Sequence, residues 1–246
     1  MKDVTLQPWF RRRRPPVPAA RLAEGKAVYA IGAVHGRLDL LEQTLALVAE
    51  DAPHRHPKDV SRSLVFVGDY IDRGPDSRGV IERLLDDPLP GFTTVRLRGN
   101  HEDSLLRFID RQGDGRAWLT YGGLETLMSY GVAVRNLPAD PAAAEELRQA
   151  TWAALPAAHE AFLRRCSLHH VEDDYVFVHA GLRPGCALDE QSPQDLLWIR
   201  DDFLRSPTPL PGMVVVHGHT ICDIAQDKGH RINIDTGAFS SGRLTT

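Results

Sequence analysis

The chain has 246 residues, 42% of them hydrophobic and 25% charged, and a formal net charge of −4. That length buries a sizeable core in one large domain or two small ones, and neither composition nor charge argues for nucleic acid or an anionic membrane as a partner. No apolar stretch reaches the roughly 18–20 residues that span a bilayer, and no apolar h-region follows the basic N-terminus, so a cytoplasmic protein without a signal peptide is expected.

Residues 1–24 read as a basic, Pro-rich tail. RRRR at 11–14 followed by PPVP builds no packed element, because proline removes backbone donors and like charges repel. A disordered or loosely docked arm is expected, with a partner-binding arm as the sharper alternative. Six short apolar, β-branched runs then follow: AVYAI (27–31), SLVFV (63–67), TTVRL (93–97), DYVFV (174–178), MVVVH (213–217) and RINI (231–234). Each is bounded by Gly, Asp, Asn or His, the pattern of buried strands that end in turns. Between the first runs, Leu38, Leu41, Leu45 and Val48 share one helical face, as do Val80, Ile81, Leu84 and Leu85. Strand–helix–strand alternation predicts an α/β fold with parallel pairing and helices on the sheet faces.

Residues 103–170 lack clear strands. LLRFI (105–109), AAAEELRQATWAAL (142–155) and a helix opened by Pro156 predict a helical insertion that walls a cleft. The expected organisation is the tail, then a single domain over 25–246 carrying this insertion at about 103–170. The three cysteines, Cys166, Cys186 and Cys222, are too few and too far apart for a disulfide framework or a zinc knuckle and are expected as reduced thiols.

Polar residues gather where the strands end: His35 after Gly32, Asp69 and Asp72 after Gly68, Asn100, His101 and Glu102 after Gly99, then His179, His217 with His219, and Asp235. In α/β sheets ligands collect beyond the carboxyl ends of strands, where loops aim side chains at a common point. A lone Asp after a strand is more often a turn or N-cap residue, and a lone buried His is more often a hydrogen-bonded core residue. The weight lies in six such strand ends in one order. Imidazole, carboxylate and amide oxygen together, without thiolate, favour Mn, Fe or Zn. His35, Asp69, Asn100, His179 and His219, with waters, supply enough ligands for two divalent ions bridged by Asp69. Two neighbouring ions form a clamp for phosphate ester hydrolysis.

GDYIDRG (68–74), RGNHE (98–102), HAG (179–181) and HGHT (217–220), in that order, resemble the metallophosphoesterase superfamily. They are most similar to its phosphoprotein phosphatase branch, the bacterial serine/threonine phosphatases related to calcineurin and phage lambda phosphatase. The match covers about residues 26–240. The resemblance implies a central mixed β-sandwich flanked by helices. It implies metal ligation by His35 and Asp69 on one side and by Asp69, Asn100, His179 and His219 on the other, with Mn expected ahead of Fe or Zn. It implies a two-metal-activated hydroxide as nucleophile, and His101 as the acid that protonates the leaving oxygen. Asp72 would orient that imidazole and raise its pKa. Arg73 would grip the phosphate, beside Asn100. Arg200 is the looser candidate for a second phosphate arginine, against a plain ion pair with Asp201 or Asp202. His217 and Asp235 are expected to support ligands rather than ligate, and Glu102 to brace its turn.

The resemblance also isolates one departure. Its opening motif is GDxHG, but here Gly32-Ala33-Val34-His35-Gly36 puts a methyl where a metal-binding carboxylate is implied. The expected function is therefore metal-dependent hydrolysis of phosphoserine and phosphothreonine in proteins, weakened by Ala33. Hydrolysis of a dinucleoside polyphosphate or another small phosphate ester is the alternative enzyme reading. A non-catalytic phospho-ligand binder is the alternative outside enzymes.

Overall fold

The structure, a computed structural model, describes residues 20–57, 59–134 and 136–246; the Arg11–Arg14 run lies outside them. Among the described residues, eight strands form two sheets. β1 (Lys26–Ile31), β2 (Ser61–Phe66) and β3 (Phe92–Arg96) pair in parallel in the order β1-β2-β3. The second sheet has the order β4-β5-β6-β8-β7, from β4 (His169–Glu172), β5 (Tyr175–Val178), β6 (Val214–His217), β7 (Gln226–Asp227) and β8 (Arg231–Asn233). Its inner strands β5, β6 and β8 run parallel, and its edges β4 and β7 are antiparallel. The six apolar runs all contain strands. The two edge strands were not foreseen, and β4 reaches into the stretch read as helical. Its sequence, HHVE, has one β-branched residue. It is a strand because it folds back on β5 through Asp173, whose φ is 51°.

Side-chain alternation assembles the two sheets into a sandwich. Leu64 and Phe66 of β2 face the helices, whereas Val65 and Val67 face the other sheet and meet Leu97, Phe177, Val216 and Ile234. β5 sends Val176 and Val178 outward and Phe177 inward. A period of two on both sheets thus gives three apolar layers, each fully buried Leu, Val or Phe worth about 1.5–3 kcal/mol.

α1 (Leu38–Arg55) and α2 (Ser77–Leu84) cover the first sheet through the predicted stripes, with Leu41, Leu45, Val48, Val80, Ile81 and Leu84 buried. Asp76 caps α2 by accepting the Gly79 N–H at 2.7 Å. α3 (Asn100–Ile109) follows β3, and between it and β4 the chain is helical: α4 (Arg116–Trp118), a π-helical turn at Leu119–Gly123, α5 (Leu124–Ser129), α6 (Pro141–Ala154) and α7 (Ala157–Arg165). α6 starts with Asp140 as cap and Pro141 in its first turn. α8 (Pro193–Trp198) and α9 (Asp201–Leu204) cover the second sheet with Leu196 and Phe203, and α10 (Ala238–Ser241) follows β8. Residues 20–23 lie on the β4–β5 turn, where Arg21 and Ala23 donate backbone N–H groups to Asp174 and Asp173.

Candidate active site

The carboxyl ends of β1, β2, β3, β5, β6 and β8 reach one rim, and their loops are bonded main chain to main chain. Val34 and His35 both donate N–H to the Asp69 carbonyl, at 2.9 and 2.8 Å, and Gly36 donates to that of Tyr70 at 2.8 Å. A Cβ on Gly74 would lie 2.0 Å from the His35 carbonyl, so only glycine allows this approach. His35, Asp69, Asp72, Arg73 and His219 all have φ between 47° and 73°. Such left-handed backbone on non-glycine residues is costly and collects at functional sites.

Two groups of buried ligand atoms share Asp69: His35, Asp69 and His101, and Asp69, His179 and His219. The Asp69 carboxylate divides between them, Oδ2 lying 3.4 Å from His35 Nε2 and Oδ1 lying 3.4 Å from His179 Nε2. His35 Nδ1 is 2.9 Å from the Ile71 carbonyl and His179 Nδ1 is 2.8 Å from that of Val67. Both Nδ1 atoms therefore donate, and each Nε2 turns a lone pair inward. Asn100 Oδ1 joins them, 2.9 Å from His179 Nε2 and 2.8 Å from His219 Nδ1. His219 Nε2 is buried without a partner. Acceptors brought this close repel one another unless a cation or a proton lies among them. The donor set thus fits divalent metal.

Burial would push the Asp69 carboxyl up, but the His179, His101 and His35 imidazoles outweigh it and hold it well below the usual range. Burial lowers His179, and lowers His219 to about 2, the direction that favours the neutral ring a ligand needs.

His101 stands edge-on to His35, with ring centroids 4.7 Å apart. Its Nδ1 donates to Asp72 Oδ2 at 2.6 Å, which frees Nε2. Burial opposes its protonation, but the Asp69 charge and the Asp72 hydrogen bond prevail and raise its pKa above the ordinary value. Arg73 lies over the Phe239 ring at 4.8 Å with NH1 3.0 Å from His35 Nε2. Arg200 reaches the His219 carbonyl and Thr220 Oγ1, both at 3.3 Å. It does not pair with its neighbours: Asp201 binds Arg205, and Asp202 lies 3.6 Å from Arg183. Between the two arginines a cavity of about 320 Å³ has Asp69, Asn100, His101 and His219 at its base and Trp118, Tyr121 and Trp198 as walls.

Glu102 is a brace. Its Oε2 accepts N–H from Asp69 at 2.9 Å and from Gly99 at 2.7 Å, and its Oε1 from Tyr70 at 2.8 Å and Ile71 at 3.3 Å. Burial and the Asp69 charge raise its pKa to about 7 against those donors. Asp235 does not orient a histidine ring: its Oδ1 accepts the Gly237 N–H at 2.9 Å, and the His35 and His179 rings are held by backbone carbonyls instead. His217 turns from the rim to pack on Phe203, ring centroids 4.9 Å apart. Ala33 is buried, 2% exposed.

Sequence reasoning missed Trp118, Gly122 and Thr126. Trp118 Nε1 and Thr126 Oγ1 donate to Asp72 at 2.9 and 2.6 Å, and the Gly122 carbonyl accepts the Arg73 N–H at 3.1 Å. The Gly122-Gly123 pair inside a helical stretch was the available signal, since glycine there marks a bend or a close approach.

Residues 27–232 match the family of the calcineurin-like phosphoesterases. The chain is 30% identical over 226 residues to serine/threonine-protein phosphatase 2 of Escherichia coli, covering 89% of this chain and 90% of that one. It is 31% identical over 236 residues to the bis(5'-nucleosyl)-tetraphosphatase PrpE (asymmetrical) of Halalkalibacterium halodurans, covering 87% of each. In fold it is similar to the cold-active protein-tyrosine phosphatase of a Shewanella species, with a TM-score of 0.53 at 17% identity over 91% of this chain and 77% of that one. The chain belongs to the calcineurin-like metallophosphoesterase family, on the phosphoprotein phosphatase branch, and is by that membership a phosphoester hydrolase.

Proposed function

We propose, with that membership as premise, that the chain hydrolyses phosphate monoesters, phosphoserine and phosphothreonine in proteins foremost. The observation that supports this best is the pairing of the Asp69-centred ligand groups with a hydrogen-bonded His101–Asp72 dyad at the base of one cleft. His35 and Asp69 would hold one divalent ion, and Asp69, Asn100, His179 and His219 a second, manganese being the expected metal. Bound there, such ions supply Lewis acidity toward the phosphoryl oxygens and toward the attacking water.

The chain's own residues do the rest. Arg73 and Arg200 flank the cleft and take phosphoryl oxygens, Arg73 held flat by Phe239. Trp118, Tyr121 and Trp198 narrow the mouth and limit water. His101 donates its Nε2 proton to the leaving oxygen as the P–O bond breaks, and Asp72 keeps the Nδ1 proton in place. Water supplies the oxygen that phosphorus gains. The methyl of Ala33 weakens the first metal position, which retains His35 and the shared Asp69.

Hydrolysis of a dinucleoside polyphosphate is the second reading, favoured by the PrpE relative. A second cavity, of about 370 Å³, continues the cleft past Ser104, Trp118 and Trp198 to Arg107 and Gln194, room for more than one phosphate. With manganese added, phosphoserine and phosphothreonine peptides compete against diadenosine tetraphosphate as substrates. Faster release of phosphate from the peptides is expected. Turnover of diadenosine tetraphosphate alone establishes the second reading, and binding of phosphate without any turnover reduces the chain to a phospho-ligand binder.

A further inference from the structure

Three donors converge on the fully buried carboxylate of Asp72, and His101 is only one of them. The indole N–H of Trp118 reaches Oδ2 at 2.9 Å, beside the His101 Nδ1–H, and the Thr126 hydroxyl reaches Oδ1 at 2.6 Å. Thr126 Oγ1 in turn accepts the Asp72 backbone N–H at 2.8 Å. Its single proton goes to the carboxylate, so the Ser77 hydroxyl, 2.9 Å away, is the donor to Thr126. Both oxygens of Asp72 and its own N–H are thereby fixed from outside the loop that carries it.

Trp118 and Thr126 belong to one stretch, and its shape explains how it gets so close. The π-helical turn at Leu119–Gly123 bends the chain, and Gly122 has φ 118°, which disfavours any other residue. A Cβ there would lie 2.7 Å from the Arg73 nitrogen and 2.6 Å from its Cγ. On Gly123 it would lie 2.6 Å from the Trp118 ring. The missing Cβ atoms let the turn seat on Asp72 and Arg73 together.

We infer that Trp118 and Thr126 are positioning residues for the proposed acid: they fix the Asp72 carboxylate so that the His101 ring presents Nε2 to the leaving oxygen. The inference rests on the reading of His101 given above. An acid held askew matters most when the leaving group needs its proton. A nitrophenolate departs without one, whereas the alkoxide of phosphoserine does not.

The test compares Trp118→Phe, Thr126→Val and Thr126→Ser with the parent chain on p-nitrophenyl phosphate and on a phosphoserine peptide. The His101 Nδ1–H resonance is followed in 15N-labelled protein. Thr126→Val is expected to lower kcat on the peptide by about 10–100-fold and on p-nitrophenyl phosphate by less than about threefold, with KM held, and Trp118→Phe, which also alters a cleft wall, to lower kcat on the peptide by more than on p-nitrophenyl phosphate. The resonance shifts in both, and Thr126→Ser restores rate and resonance. Equal losses on the two esters, or a resonance that stays in place, overturn the inference. If the parent hydrolyses neither ester, the proposed function falls on its own and the resonance still decides whether Trp118 and Thr126 set the ring.

Discussion

The two ligand groups that meet at Asp69 are built from different material. The His179–His219 side lies where the second sheet's central strands end, and it combines two imidazoles with the amide oxygen of Asn100 and one carboxylate oxygen. The His35 side has one inward imidazole and the other Asp69 oxygen, and Ala33, buried two residues before His35, offers no ligand atom. His101 completes that cluster, but its raised pKa and its bond to Asp72 suit a proton donor better than a ligand. In the function proposed above, one side of the rim would keep a cation and the other would move a proton.

The largest test of that contrast removes what the sides share. Asp69→Asn takes away the shared charge, and bound manganese measured by elemental analysis should fall at both proposed positions, with hydrolysis of p-nitrophenyl phosphate down by about 100-fold or more. Retention of one full equivalent would mean that Asp69 does not bridge. Next, Glu102→Gln sets an amide NH2 against two backbone N–H groups and should cost about 3–5 kcal/mol in a urea titration. It should perturb both sides equally, since Glu102 holds the Asp69 and Gly99 turns together.

Ala33→Asp acts on one side only. It should raise manganese affinity at the His35 position and hydrolysis of p-nitrophenyl phosphate by about 10–100-fold or more, leaving the other position's affinity as it was. An unchanged rate would remove position 33 from the argument. The smallest effect is in pH. Burial lowers His217 to about 3 and His219 to about 2. Below an ordinary histidine pKa near 6.5 the unfolded chain takes up protons that these folded rings refuse, so stability falls with pH. Each should cost metal-free protein about 2 kcal/mol by pH 5. His101 has the opposite sign: its raised pKa stabilises below about 6.5 and is lost as pH rises through the folded value. Thermal melts of His219→Gln should therefore show a shallower acid limb than melts of His101→Gln.

What the sequence disclosed follows the same division. β-Branched runs ending in Gly, Asp, Asn or His marked β1, β2, β3, β5, β6 and β8 and the rim, because burial between the layers and a sharp turn each constrain residue type. HHVE over 169–172 carried no such mark, for β4 is an edge strand held by its partner. The mutual placement of His35, Asp69 and His179 was an expectation from order along the chain; the division of the Asp69 oxygens between two rings is a tertiary fact. Trp118 and Thr126 were invisible for a related reason. They meet Asp72 across 46 and 54 residues, and a Trp in a helical stretch reads as core. The readings of Asp235 and Arg200 needed coordinates too: one carboxylate turned to a backbone amide, and one guanidinium proved free of its acidic neighbours.

The main-chain bonds from Val34, His35 and Gly36 to the Asp69–Tyr70 carbonyls carry one more consequence. They hold His35 beside Asp69 by peptide groups alone, without help from any side chain at position 33. The cradle is thus preorganised, and its amides should exchange with deuterium at the same slow rate whether position 33 carries a methyl or a carboxylate. A vacant or altered ligand there changes what the cradle attracts, not the shape in which it waits.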